Sequence, residues 1–194
     1  MTHATSQDSS PSTHADKPTE ILSNEHRLIE RVLTAVEKLL QGPVNALEPW
    51  KKALDFMRHF ADECHHFKEE KLLFPVMEEH GIPIEGGPIG MMLVEHEEGR
   101  SYVSAMLMAL SLVEGGNEAA KESLVSSAQA YCRLLREHIE KEDEILFRMA
   151  DEVISADQQK KLLALFAEHE AKQIGAGANE KYLRIALELE DGTG

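Results

Sequence analysis

Apolar residues recur at helical spacing along most of the chain. Residues three and four positions apart lie on one face of an α-helix, and long stretches of the sequence place apolar groups at that spacing. Alternation of apolar and polar residues, which is typical of strands, is almost absent. The first stripe reads Leu22, His26, Ile29, Leu33, Val36 and Leu40. The pattern therefore predicts an all-α protein.

Turn residues divide this pattern into four long helices. The first is predicted from about Ser23 to Gln41, where Gly42-Pro43 ends it. The second is predicted from about Pro49 to His80, and we expect Pro75 to kink or loosen its last turns. The third and fourth stripes run through 89–113 and 124–149. Short links between long helices favour an antiparallel up-down-up-down four-helix bundle.

The ends of the chain differ from this central region. Residues 1–20 are rich in Ser, Thr, Asp and Pro, so we expect a disordered N-terminal tail there. The bundle is assigned to residues 21–150. Two amphipathic segments follow within 151–194, at about Ser155–Lys172 and Asn179–Glu190. They predict two additional C-terminal helices that cover the bundle or form a dimer contact, so the protein is expected to be a monomer or a homodimer.

Charge and composition exclude some partners. The formal net charge of −15 argues against nucleic acid and anionic membranes, because both require clustered Lys and Arg. No apolar run approaches the roughly 18–20 residues that cross a bilayer. The two cysteines, Cys64 and Cys132, form no C-x-x-C motif, and the N-terminus carries no secretory signal. We therefore expect a reduced, cytoplasmic protein.

Four histidines interrupt the apolar stripes, one on each long helix: His26, His65, His96 and His138. A polar group buried without a partner costs about 1–3 kcal/mol, so such positions are unusual. At a rise of about 1.5 Å per residue, His26 and His65 lie at one height, as do His96 and His138. One such histidine is usually an ordinary core residue, but one on every helix indicates a shared centre.

An internal repeat adds two carboxylates to this set. The segment HHFKEEKLLF (65–74) resembles HIEKEDEILF (138–147), which aligns His65 with His138 and Glu69 with Glu142. The segments around His26 and His96 also resemble each other. Each half of the chain thus supplies one lone histidine and one His-x-x-x-Glu pair, which predicts a site of two-fold character.

This set of side chains is suited to a pair of metal ions. Residues at i and i+4 share a helix face, so each His-x-x-x-Glu pair presents nitrogen and oxygen to one point. Four imidazoles and two bridging carboxylates give each metal two nitrogens and two oxygens and leave coordination positions open. Mixed N/O ligation without thiolate favours iron, with manganese or zinc as alternatives. A small diatomic molecule or peroxide is the expected ligand of the open positions.

Several neighbouring residues offer alternatives. His66 and Glu70 form a second i, i+4 pair, but His66 aligns with Ile139, so the repeat favours His65 as the ligand. Glu70 and Asp143 are interpreted as outer residues that support a ligand or could replace one. Tyr131 lies on the fourth stripe two turns before His138. It is either a core residue or a hydrogen-bond donor to an open metal position, or it replaces a ligand there.

The motifs together resemble the hemerythrin-like HHE cation-binding domains. The segments are EHRLIERVL (25–33), CHHFKEEKLLFP (64–75), EHEEGR (95–100) and EHIEKEDEILF (137–147). The resemblance implies an antiparallel four-helix bundle around a non-haem di-iron centre, with ligands from His26, His65, Glu69, His96, His138 and Glu142. Oxygen-carrying hemerythrins have a His-x-x-x-His pair on the third helix. Here Arg100 follows His96 at that spacing, which disfavours simple oxygen carriage.

The function expected from this centre is to sense or handle oxygen, peroxide, nitric oxide or iron. The alternatives are a di-iron enzyme with peroxidase-like, catalase-like or nitric-oxide-handling activity, iron storage or trafficking, and a structural bundle with zinc or no metal. Ferritin-like oxidases carry more carboxylates and Glu-x-x-His pairs on two helices. The histidine-rich set favours binding and sensing over an enzyme.

Overall fold

The computed structural model describes residues 17–44, 46–173 and 178–192, and all of their regular structure is helical. The prediction of an all-α protein is confirmed. The six helices are α1 (Pro18–Leu39), α2 (47–79), α3 (Pro88–Glu114), α4 (120–153), α5 (Ala156–Gln173) and α6 (Ala178–Gly192). Residues 1–16 of the tail expected over residues 1–20 lie outside the described residues.

Helix α1 begins at Pro18, five residues before the predicted Ser23 and within the last residues assigned to the tail. Proline fits the first turn of a helix, since its φ angle is already helical and its missing N–H has no partner there. Polar contacts then fix this turn to α4: Lys17 Nζ lies 2.7 Å and Thr19 Oγ1 2.8 Å from the carboxylate of Asp151. Composition alone does not reveal such a contact.

Helices α2 and α4 contain wider turns. The segments Met57–His66 and Glu69–Leu73 of α2 and Glu142–Leu146 of α4 are π-helical, with hydrogen bonds that span five residues. Phe74 N–H, for example, donates to the carbonyl of Glu69. Pro75 follows directly and lies in the first turn of the Phe74–Glu79 segment, so α2 continues past it. The loosening expected at Pro75 thus takes the form of a π turn before it.

The first four helices contact one another in a closed ring. Each of α1, α2 and α3 packs against the next helix, and α4 packs back against α1. Helices α5 and α6 both pack on α1 and α2. Among the described helices, none combines the length and the apolarity that a bilayer crossing requires.

The core consists of two apolar clusters, and the same polar layer separates them on every long helix. On α1 the change of cluster falls between Leu22 and Ile29, and on α2 it falls between Ala61 and Leu73. The corresponding changes on α3 and α4 fall within 92–103 and 139–146. Each of these intervals contains or adjoins a stripe histidine. The clusters exclude water above and below the layer, so polar atoms in it depend on one another.

Candidate metal centre

The six predicted ligand residues come together in this layer, and each is at most 1% exposed. They are His26, His65, Glu69, His96, His138 and Glu142. With His66 they form two groups whose ligand atoms lie within 4.8 Å of one another. The His26 group is His26, His65, Glu69 and Glu142, and the His66 group is His66, Glu69, His96 and His138. Glu69 belongs to both groups, which places it between two candidate cation positions.

The two carboxylates each lie between imidazoles from different helices. Glu142 Oε2 is 3.2 Å from the Nε2 atoms of both His26 and His138. The two oxygens of Glu69 lie 3.3 Å from His65 Nε2 and 3.5 Å from His96 Nε2. Glu69, whose two oxygens face different groups, could bridge two cations, whereas Glu142 belongs to the His26 group alone.

The outer nitrogen of each stripe histidine donates a hydrogen bond to a carboxylate at 2.8–2.9 Å. The pairs are His26 with Asp143, His65 with Glu25, His96 with Glu70, and His138 with Glu95. Such a partner keeps the proton on Nδ1 and directs the lone pair of Nε2 into the layer, as in carboxylate–histidine–metal sites. The structure therefore places Glu70 and Asp143 behind histidines, on the side away from the centre.

Two lysines complete these outer contacts, and the sequence reasoning missed them. Lys68 contacts Glu25, and Lys141 contacts Glu95. A lysine ammonium group thus pairs with each carboxylate that lies behind a His-x-x-x-Glu histidine. The signal was present in the repeat. A glutamate directly precedes both lone histidines, and a lysine follows His65 and His138 three positions later. The internal repeat therefore extends from the candidate ligands to the residues that orient them.

His66 also lies inside the layer, at 4% exposure, and its ring stacks on that of His96 with the centroids 3.9 Å apart. Its Nδ1 is 3.4 Å from Asp62 Oδ1. In the π-helical stretch of α2 more residues occupy each turn, so the adjacent His65 and His66 both face inward. The structure thus brings both alternatives into the cluster. The aligned Ile139 supplies no donor, so the two groups differ in composition.

Arg100, at the position where a histidine was missing, faces the outer carboxylates. One of its terminal nitrogens lies 2.9 Å from Asp62 and 3.0 Å from Glu70. It therefore links the carboxylate behind His66 to the carboxylate behind His96. The third imidazole of the His66 group comes from α2 instead of α3.

Unpaired polar atoms at the middle of the layer fit a pair of cations. Nε2 of His26 and of His66 and both oxygens of Glu69 and Glu142 are buried, and within the described residues they have no hydrogen-bond partner. The Nε2 atoms of His96 and His138 lie 3.1 Å apart. The Nδ1 atoms of both rings already donate to carboxylates, so in the neutral rings the two Nε2 atoms present lone pairs to each other. Each unsatisfied buried atom costs about 1–3 kcal/mol, and a cation would pair with all of them. The N/O donor set suits iron, manganese or zinc.

The electrostatics of the cluster favour protons where cations would bind. Burial disfavours a charged imidazole, yet Glu69 and Glu25 raise the pKa of His65 to about 10. Glu142 and Glu95 likewise raise the pKa of His138 to about 9 against the effect of burial. Burial and the neighbouring His96 lower the pKa of His66 well below its usual value. The metal-free cluster therefore holds protons on some imidazoles and leaves His66 neutral.

Cation binding is consequently expected to release protons at neutral pH, because a metal ligand must be deprotonated. The pKa of about 10 for His65 and of about 9 for His138 place both protons on the metal-free protein at pH 7. Apparent cation affinity should rise with pH up to that range. Calorimetric titration in two buffers of different ionisation enthalpy counts the released protons. Equal heats in both buffers at pH 7 would contradict the assignment.

The stability of the metal-free protein should fall as pH rises, whereas its apparent affinity for cations rises. A raised pKa in the folded state stabilises it fully below the ordinary pKa of 6.5, and this contribution disappears as pH rises through about 10. Thermal unfolding of metal-free protein should therefore show a lower midpoint at pH 9.5 than at pH 6.5 on account of His65. The loaded protein serves as the control, since its histidines are already deprotonated.

Comparison with known proteins agrees with this geometry. A family model described as the hemerythrin HHE cation binding domain matches residues 17–150, which include the whole cluster. Uncharacterized proteins from Mycobacterium bovis and from Mycobacterium tuberculosis are 22% identical to the chain over 182 residues, covering 90% of this chain and 69% of each relative. No solved structure gives a significant match.

Proposed function

We propose that this chain, which belongs to the hemerythrin HHE cation-binding domain family, is a non-haem di-iron protein that senses or handles oxygen, peroxide, nitric oxide or iron. We infer that α1–α4 form the antiparallel four-helix bundle expected of such a domain. The observation that carries the proposal is the set of buried nitrogen and oxygen atoms without partners at the centre of the layer. A bound cation would supply a partner to lone pairs from several directions at once.

Two cations fit better than one. The His26 group would hold the first and the His66 group the second, with Glu69 common to both. The first group offers two imidazoles and two carboxylates, and the second offers three imidazoles and one carboxylate. We favour iron because the donors are mixed nitrogen and oxygen without thiolate; manganese and zinc are the alternatives. Bound iron would supply reversible redox chemistry and coordination of a small diatomic molecule or peroxide.

The protein's own residues orient the donors and exclude water. The carboxylates behind the stripe histidines hold Nε2 toward the centre, which typically contributes 10–100-fold to metal affinity. The apolar clusters on either side keep solvent away from the layer. We also propose a cytoplasmic location, because Cys64 and Cys132 are buried free thiols. The histidine-rich donor set favours ligand binding and sensing over enzymatic turnover.

Metal analysis of the full chain, expressed with iron supplied, tests this proposal. We expect about two iron ions per chain and an optical spectrum that changes on exposure to oxygen or peroxide. Elemental analysis gives the stoichiometry, and the absorption spectrum before and after peroxide reports the open positions. Fewer than about one metal ion per chain, or zinc alone, would contradict the di-iron assignment.

A further inference from the structure

Helix α3 carries a largely exposed stripe on the face turned away from His96. Its positions recur at alternating steps of three and four residues, which is the heptad spacing of a helix that packs along another helix. The stripe is apolar at both ends, where the residues are between 48% and 70% exposed. The α3 stripe consists of Met91, Val94, Glu98, Ser101, Ala105, Met108 and Leu112. Apolar groups that are clustered in this way on a surface are typical of an interaction site.

The α3 stripe is symmetric about its middle position, Ser101. Its two apolar pairs lie seven and ten residues before Ser101 and seven and eleven residues after it. Antiparallel contact of two identical helices about Ser101 therefore sets Met91 against Leu112 and Val94 against Met108, and does so twice. A two-fold homodimer requires one surface that is complementary to itself. The α3 stripe meets this requirement.

An open groove of about 780 Å³ lies beside the N-terminal end of the stripe. The preceding loop forms one wall and approaches α3 closely at Gly90, where a Cβ atom would overlap the carbonyl oxygen of Ile84. Most of the groove's surface is apolar, and Val94 lies in its lining. Antiparallel contact would place the exposed Met108 and Leu112 of a second copy in this groove. The groove and the side chains that fit it thus lie at opposite ends of one helix.

The charges of α3 favour the antiparallel arrangement over a parallel one. Three glutamates fall within 95–98, whereas 101–113 contain no charged residue. Antiparallel contact sets each acidic half against an uncharged half, but parallel contact would set Glu98 against itself. Arg133 of α4 acts on the nearby Tyr102. In the antiparallel pair, this guanidinium group would lie within about one turn of Glu98 of the second copy.

We propose that the α3 stripe binds a second copy of this chain, in an antiparallel contact with its two-fold axis at Ser101. The occupant is a second copy because the apolar ends, the groove and the charges of one helix complement one another, which a partner of different sequence would not require. The contact lies on α3 and not on α5 or α6, where the sequence also allowed one. It does not depend on the metal, because His96 lies on the opposite face of α3.

Sedimentation of the full chain tests the dimer. We expect a dimer at about 100 μM, and Met108→Glu should weaken it by about 100-fold or more, because the change enters a two-fold interface twice. The matched control is Leu183→Glu on α6, which is also exposed and changes the net charge equally. It should leave the dissociation constant within about twofold. A monomer at about 100 μM, or a dimer that only Leu183→Glu weakens, would overturn the proposal.

Cysteine cross-linking tests the register, and it also decides the proposal if Met108→Glu does not fold. Under mild oxidation, Ser101→Cys should form a covalent dimer, because position 101 meets itself. Val94→Cys alone should not, since the two copies of position 94 would lie about 21 Å apart along the helices. A mixture of Val94→Cys and Met108→Cys should cross-link. The native Cys64 and Cys132 are buried and give the background. Cross-linking of Val94→Cys to itself, or none by Ser101→Cys, would contradict the antiparallel contact.

Discussion

Replacing Glu69 with alanine is expected to remove both cations from the protein. Glu69 belongs to both candidate groups, and its oxygens lie 3.3 Å from His65 Nε2 and 3.5 Å from His96 Nε2. Outer residues alone typically contribute 10–100-fold to metal affinity, so loss of a shared ligand should cost more than about 100-fold. Elemental analysis after dialysis, together with competition against a chelator, measures this loss.

Two variants on α2 provide the comparison. His66→Ala affects the His66 group only, so it should leave about one cation per chain. Glu63 lies on the exposed side of the same helix, and its side chain is 48% exposed. The variant Glu63→Ala should therefore retain both cations. If Glu69→Ala also keeps two cations, Glu69 is not the shared ligand. If His66→Ala loses both, the cations do not bind independently.

The residues that sequence reasoning found were those whose geometry is local. A histidine in an apolar stripe and a glutamate four residues later lie on one helix face whatever the rest of the chain does. The repeat then joined His65/Glu69 to His138/Glu142 without knowledge of any tertiary contact. All six predicted residues meet in the layer for this reason.

The repeat ranks His66 below His65, because it aligns His66 with Ile139. In a regular helix, neighbouring residues are separated by about 100° of rotation, so only one of His65 and His66 would face inward. The π-helical turns of α2 change the relation, and nothing in the local sequence specifies them. The polar layer, with its carboxylates, is built from four helices. The conformation of α2 therefore depends on how it packs against the other three, which the sequence of α2 alone does not specify.

The start of α1 and the role of Lys68 were hidden for a related reason. Lys17 and Thr19 contact Asp151, more than a hundred residues later in the chain. Lys68 contacts Glu170, which is 102 residues away. Sequence periodicity assigns such polar residues to the solvent, because it contains no information on distant partners. Only the packing of α4 and α5 shows that Thr19 and Lys68 are buried and that Lys17 pairs with Asp151.

Replacing Lys68 with methionine is expected to destabilise the metal-free protein by about 3–5 kcal/mol, the usual cost of leaving one member of a buried ion pair alone. Lys68 is fully buried, and its ammonium group contacts Glu25 and, at 2.8 Å, Glu170 of α5. Without it, the buried carboxylate of Glu25 loses its ammonium partner and keeps only the hydrogen bond from His65 among these contacts. Urea unfolding of the metal-free protein measures the change in the free energy of unfolding.

Lys141→Met is the matched control, because the repeat aligns Lys141 with Lys68. Lys141 contacts Glu95, but its side chain is 32% exposed. Solvent screens such a pair, so its loss should cost less than about 1 kcal/mol. Equal losses for the two variants would show that burial beneath α5 does not matter. A larger loss for Lys68→Met, reduced by a second change of Glu25→Gln, would show that the buried Lys68–Glu25 pair stabilises the metal-free protein.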